Sequence, residues 1–229
     1  MKSAVIVFPA SNCDRDIQVA LRDITGHEPD MIWHGETSLG NYDLVVLPGG
    51  FSYGDYLRCG AMAAKSPIMS EVKRHADQGR LLMGICNGFQ VLTESHLLPG
   101  ALMCNKNLKF ICKKVHLKIE NTDTPFTRHY QTDTPIHVPV AHHDGNFVID
   151  EDGLKALNDN NQVLFRYCEA DGTVTDTANI NGSAQNIAGI LNKQGNVMGL
   201  MPHPERAVDP THGGTDGMNM FKGLMEAFA

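Results

Sequence analysis

This chain of 229 residues is informative first through what it lacks. No apolar run approaches the ~20 residues that span a bilayer, so a membrane protein is not expected. The first apolar run, residues 3–8, is stopped by Pro9 with no small-residue cleavage pattern after it, so it reads as a strand and not as a signal peptide. Basic clusters are missing too. With 19 Lys and Arg against 26 Asp and Glu the formal net charge is -7, which argues against a nucleic-acid partner because phosphate binding needs concentrated positive charge. There is no Gly-x-x-x-x-Gly-Lys phosphate loop, so any ATP chemistry must lie on another chain. The six cysteines (Cys13, Cys59, Cys86, Cys104, Cys112 and Cys168) form no Cys-x-x-Cys and no metal-type Cys/His spacing. That pattern suits reduced thiols and a cytoplasmic location, where the Asn181-Gly182-Ser183 sequon means little. No resident metal is expected.

What is present is ordinary for a globular protein: 42% hydrophobic and 20% charged residues, in a chain long enough for one large α/β domain or two small ones. Repeats and low-complexity linkers are absent, and the expectation is one domain over residues 1–229. Residues 3–8 are continuously apolar, as strands buried on both faces of a parallel sheet are. Ser11 or Asn12 is a candidate cap for the helix that follows, which carries Ile17, Leu21 and Ile24 on one face and stops at Gly26. Strands are expected at 30–34 and 42–47, and a helix at 67–78 with Gly79 as its stop. The order predicts a mostly parallel, doubly wound sheet with helices on both faces. Beyond Pro99-Gly100 the runs at 108–120, 136–140 and 146–149 are short and partly alternating, and predict added antiparallel strands. The tract 121–134 reads as the loosest part. Further strands are expected at 163–168, 186–191 and 196–200, with a closing helix at about 215–228.

Within this frame one stretch carries chemistry. The apolar run Leu81-Leu82-Met83 leads into Gly84-Ile85-Cys86-Asn87-Gly88, and a helix-like segment follows at once. A cysteine in apolar surroundings is commonly a small buried hydrophobe. Glycines two residues before and after it are unnecessary for that role, but they are what a nucleophile elbow needs, where the turn leaves no room for Cβ atoms. Such a turn sets the sulfur at a helix N-terminus, whose unpaired amides favour a negative charge there.

Two other segments complete a candidate site. Gly49-Gly50 closes a predicted strand, where paired glycines let backbone N–H groups face a ligand; a plain Pro-Gly-Gly turn is the alternative. His203-Pro204-Glu205 offers a base and its orienter, because residues two apart in extended backbone point to one side and the flanking prolines bias His203 that way. A solvated surface pair is the alternative. His142-His143 has no third metal ligand at helical or hairpin spacing and reads as a turn or interface feature.

Together the motifs Ser11-Asn12-Cys13-Asp14-Arg15-Asp16, Pro48-Gly49-Gly50-Phe51-Ser52-Tyr53-Gly54-Asp55-Tyr56-Leu57-Arg58, Gly84-Ile85-Cys86-Asn87-Gly88-Phe89-Gln90, Leu97-Leu98-Pro99-Gly100-Ala101-Leu102 and Met201-Pro202-His203-Pro204-Glu205-Arg206 resemble the class I glutamine amidotransferases. The resemblance runs nearly end to end. It is narrower still to a glutaminase subunit of purine biosynthesis, through Phe51-Ser52-Tyr53-Gly54-Asp55 and Asn87-Gly88-Phe89-Gln90. It implies a flavodoxin-like α/β fold with Cys86 as nucleophile, His203 as general acid and base, and Glu205 as its orienter. Gly50 and Asn87 would supply oxyanion N–H groups, Gly49 would shape the loop, and Gln90 would help bind glutamine. It also implies ammonia delivery to a large synthase subunit carrying ATP and Mg, a small third subunit in the complex, and no cofactor on this chain. Two positions depart from the family's pattern: Ala10 stands where glycine is usual, and His142-His143-Asp144-Gly145 stands for His-Gly-Glu-Gly. The other readings are a cysteine hydrolase acting without a partner and a non-catalytic binding subunit that keeps the fold.

Overall fold

The computed structural model of the chain describes residues 1–55 and 59–228. Tyr56, Leu57 and Arg58, the end of the second motif above, lie outside the described residues. Nine strands form one sheet in the order β2-β1-β3-β4-β11-β10-β9-β6-β7. Five of them, β1 (Ser3–Val7), β2 (Asp30–Trp33), β3 (Leu44–Leu47), β4 (Leu81–Ile85) and β11 (Val197–Leu200), run parallel. The other four, β6 (Ile111–Ile119), β7 (Ile136–His142), β9 (Val163–Cys168) and β10 (Ile187–Leu191), continue the sheet antiparallel from β11. β5 (Ala101–Met103) and β8 (Asn146–Val148) make a separate antiparallel pair. The sheet is therefore doubly wound at one side; of the antiparallel strands expected at 108–120, 136–140 and 146–149, the first two extend it and the third pairs with β5 apart from it.

The central strands are the most apolar. Every residue of β3, β4 and β11 is buried, and each Val, Leu, Ile or Met so removed from water contributes roughly 1.5–3 kcal/mol before entropy is counted. Helix α1 (Asp14–Thr25) buries Ile17, Ala20 and Leu21, keeps Asp14 and Asp16 in its first turn, and ends at Gly26 with a φ of 72°. The cap expected at Ser11 or Asn12 is not made. Cys13 occupies the N-cap without a side-chain bond, and Ser11 Oγ instead closes the turn after β1, donating to Phe8 O at 2.9 Å and accepting from Phe8 N at 3.1 Å.

Helix α2 (Cys59–Ala63) was not anticipated; α3 (Met69–Asp77) is shorter than the pattern suggested; α4 (Asn87–Glu94) follows β4 directly. Helix α5 (Glu151–Asp159) was also missed, because it buries only Leu157 and holds Gly153 in its first turn. Its signal was the cap: Asp150 accepts from Gly153 N at 2.8 Å. Helix α6 (Met218–Glu226) buries Met220, Phe221 and Leu224 and packs on α1. The tract 121–134 has no regular element but is anchored, with Phe126 and Tyr130 buried and Tyr130 donating to Asp216 O at 2.8 Å. No helix among the described residues is long and apolar enough to cross a membrane.

Candidate active site

β3, β4 and β11 are neighbours in the sheet and parallel, so their carboxyl ends open on one place. Gly49-Gly50 follows β3, Cys86 follows β4, and His203 lies three residues past β11. That adjacency is what turns three distant motifs into one site, at the strand ends where open α/β sheets bind ligands.

Cys86 is buried and adopts φ 51° with ψ -106°, a left-handed conformation that a residue with a Cβ takes only at a cost of about 1–3 kcal/mol. It is held there from both sides. Its N–H donates to Leu200 O at 2.7 Å, and its carbonyl accepts from Phe89 N at 3.0 Å and Gln90 N at 3.2 Å. The glycines flanking it are required by close approach: a Cβ on Gly84 would stand 2.7 Å from the Gly88 carbonyl, and one on Gly88 would stand 2.0 Å from Leu47 O. The elbow is thus packed against β3 as well as folded on itself. The thiol reaches Ala141 O on β7 at 3.7 Å.

His203 is 1% exposed and Glu205 3%, and His203 Nδ1 lies 2.6 Å from Glu205 Oε1. The pair does not form along extended backbone as expected. Pro204–Arg206 is a single 3-10 turn, and the contact is made across it. The His203 N–H bonds to Pro139 O at 2.8 Å, tying the turn to β7. Burial alone would push the imidazole down; the Glu205 carboxylate and the Cys86 sulfur outweigh it and hold His203 well above the usual histidine range. The surface-pair alternative is excluded by this burial.

Gly49 joins the two halves. A Cβ there would lie 2.8 Å from His203 Cε1 and 3.1 Å from Cys86 Cβ. Gly50 has φ 116° and packs against Asn12, where a Cβ would meet Asn12 Oδ1 at 2.5 Å. Asn87 accepts from Ser52 N at 3.2 Å and donates to Gln90 Oε1 at 2.6 Å, while Gln90 Nε2 donates to Asp144 O at 2.8 Å. Gln90 therefore links the elbow helix to the 142–145 loop.

Several residues were not given a role from sequence. Arg206 donates to Asp16 Oδ2 at 2.8 Å and to Cys13 Sγ at 3.0 Å, clamping the His203 turn onto α1. Cys13 lies beside His203 and Glu205, one potential ligand atom of each falling within 4.8 Å of the others. Its presence in the quoted Ser11–Asp16 motif was the only hint. The two histidines stand at the end of β7 and the turn that follows it, in different surroundings. His142 is buried and bonds Asn105 Oδ1 at 3.1 Å, whereas His143 gathers with Asp144 and Cys104 into a second cluster within 4.8 Å. The third group comes from a distant strand end, which local spacing cannot reveal.

Residues 1–222 match the family described as CobB/CobQ-like glutamine amidotransferase domain. The chain is 58% identical over 226 residues, 98% of it and 97% of the relative, to phosphoribosylformylglycinamidine synthase subunit PurQ of Nitrobacter hamburgensis. It is 56% identical to the subunit of the same name from Zymomonas mobilis, with both chains covered completely. Among solved structures it is similar to a chain of PurLQS from Thermotoga maritima, with a TM-score of 0.87 and 47% identity over 100% of this chain and 99% of that one.

Proposed function

The chain belongs to the CobB/CobQ-like glutamine amidotransferase family, and we propose that it is the glutaminase subunit of a phosphoribosylformylglycinamidine synthase in purine biosynthesis. The observation that carries this reading is the convergence of Cys86, in a strained elbow, with the buried His203–Glu205 pair at the ends of adjacent parallel strands. The Cys86 sulfur attacks the side-chain amide carbon of glutamine, forming a C–S bond and an oxyanion held by the backbone N–H groups of Gly50 and Asn87. His203, oriented by Glu205, gives its proton to the amide nitrogen, the C–N bond breaks and ammonia leaves. Water, giving a proton back to His203, then cleaves the thioester to glutamate and restores the sulfur. Gly49 keeps nucleophile and imidazole in contact, and Gln90 helps bind glutamine.

The ammonia passes to a large synthase subunit, the site of ATP and Mg, which forms the amidine; a small third subunit completes the assembly. The relatives' names and the PurLQS neighbour support this partnership, and the cytoplasm is its setting. Because free hydrolysis wastes glutamine, turnover is low for the subunit alone and rises on docking. The test is glutamine hydrolysis by wild type and Cys86→Ala, with and without the synthase subunit. Glutamine-dependent amidine formation by the Cys86→Ala complex would refute the mechanism, and strong amidase activity on other substrates without the partner would favour an independent hydrolase.

A further inference from the structure

We propose that Cys13, His203 and Glu205 form an inhibitory site for a thiophilic divalent cation, zinc being the natural candidate, reached from a groove behind the catalytic pair. The donor set is right for that ion. A thiol, a ring nitrogen and a carboxylate oxygen stand within 4.8 Å of one another, all three residues buried. Zinc bonds of about 2.0–2.3 Å put tetrahedral ligands roughly 3.3–3.7 Å apart, so side-chain adjustments of an ångström or so close the site around the metal. One polar atom in the cluster, Glu205 Oε2, is buried with no hydrogen-bond partner. Such atoms are rare in folded proteins and each costs free energy that a cation would recover.

The second observation is the approach. A groove of about 780 Å³ lies between α1, the 3-10 turn of Pro204–Arg206 and α6, and Glu205 itself forms part of its wall. Asp16, Asp23 and Asp209 stand around it, with Arg206 and His212 as the basic or titratable groups facing them. Arg206 is committed to Asp16 and Cys13. The groove thus offers carboxylates at its rim, and Glu205, whose carboxylate is wholly buried, closes its inner end. Cys86, Gly50, Asn87 and Gln90 do not line it.

Coordination displaces the Nδ1 proton that His203 shares with Glu205, so zinc competes with a proton at this site. It takes Glu205 and His203 out of their hydrogen-bonded pair. Since the cation enters away from the elbow, the consequence is a lower kcat with KM for glutamine unchanged. That consequence rests on the catalytic roles proposed above; the site does not.

Cobalt(II) is the probe, added to the metal-free full-length chain. A sulfur-to-cobalt absorption band at one equivalent is expected, lost in Cys13→Ser and Cys13→Ala and kept in Cys86→Ala and Cys104→Ser. In the complex with the synthase subunit, zinc lowers kcat, and Cys13→Ser raises the zinc inhibition constant by about 10–100-fold. Persistence of the band without Cys13 would overturn the proposal. So would its loss in Cys86→Ala, which places the metal on the nucleophile, or in Cys104→Ser, which places it in the exposed Cys104, His143 and Asp144 cluster. Should neither Cys13 variant melt cooperatively, X-ray absorption of the wild-type cobalt protein decides, one sulfur with nitrogen and oxygen supporting the site and an all-nitrogen-and-oxygen shell refuting it. An intact band in a complex without glutaminase activity would sink the catalytic reading and leave the site standing.

Discussion

His203 and Glu205 meet at 2.6 Å with side chains 1% and 0% exposed, so the carboxylate has no competition from water for the imidazole. Glu205→Gln keeps the shape and removes the charge. The burial that opposes a charged imidazole then acts without its main counterweight, and the His203 pKa falls from well above the usual range. The stability bound up in this pair is fully present below the unfolded histidine value and is lost as pH rises through the raised native one. Wild type should therefore lose stability on the alkaline side and Glu205→Gln should show a flatter profile. The kcat of the variant should drop by roughly 100-fold or more, the scale of positioned acid and base catalysis. Unchanged pH dependence of both stability and kcat would show that Glu205 is only packing.

Gly49→Ala tests contact between the two halves of the site. The added methyl would stand 2.8 Å from His203 Cε1 and 3.1 Å from Cys86 Cβ, with Ile85 O at 3.3 Å on the third side. One of the two functional side chains must move. Displacement of that size costs on the order of 100-fold in rate, so kcat should fall at least that far in the synthase complex while the Cys86→Ala background shows no further loss. Full wild-type kcat would mean that the imidazole and thiol are not held at this spacing during turnover.

The parallel core and the elbow were legible because their physics is local: unbroken apolar runs in 3–8 and 81–85, and glycines where a Cβ has no room. The join between elbow and His203 was not local. It depends on β11 returning beside β4 after more than a hundred residues, and the need of a thiol for a base suggested the pairing without showing how the chain makes it. Cys13 stayed invisible for the opposite reason. Nothing in Ser11-Asn12-Cys13 distinguishes a helix start from a wall of the site, until Arg206 is seen reaching it from the far end of the chain. Likewise α5 escaped because its stability comes from a cap and a single buried leucine, with little apolar pattern to read.

At Ala10 the backbone takes a conformation that alanine does not favour. Its φ is 62°, and its carbonyl accepts from Asn12 N at 2.9 Å and Phe51 N at 3.3 Å, which fixes the loop beside Gly50. An alanine in the left-handed region costs about 1–2 kcal/mol, partly offset because glycine loses about 0.4–1 kcal/mol more backbone entropy on folding. Ala10→Gly should therefore stabilise by up to ~1 kcal/mol, a Tm rise of about 2–4 °C at most for a chain of this size. A clear fall in Tm by calorimetry would show that the methyl makes a contact worth more than the strain.

His142 gives the chain an acid-sensitive element. It is buried at the end of β7, where the 142–145 loop begins, bonded at Nδ1 to Asn105 Oδ1 at 3.1 Å, with Gly145 so close that a Cβ there would lie 2.3 Å from its ring. Burial first, and then the charge of His203, lower its pKa to about 4. Here the native value lies below the unfolded one of about 6.5. The unfolded chain takes up the proton first, so stability is intact above pH ~6.5 and falls as pH drops towards 4, by about 3 kcal/mol in all if this group acts alone. His142→Gln has no proton to take up and should flatten the denaturant-midpoint profile over that window, at the cost of a lower plateau near neutrality. Because Asp144 O accepts from Gln90 and Asn105 joins His142 to Gly145, the same window should loosen the loop that Gln90 holds. Amide exchange at Gly145, slow at neutral pH and faster than its intrinsic trend at pH ~5 in wild type but not in His142→Gln, would tie the titration to that loop; identical profiles in the two proteins would place the acid sensitivity elsewhere.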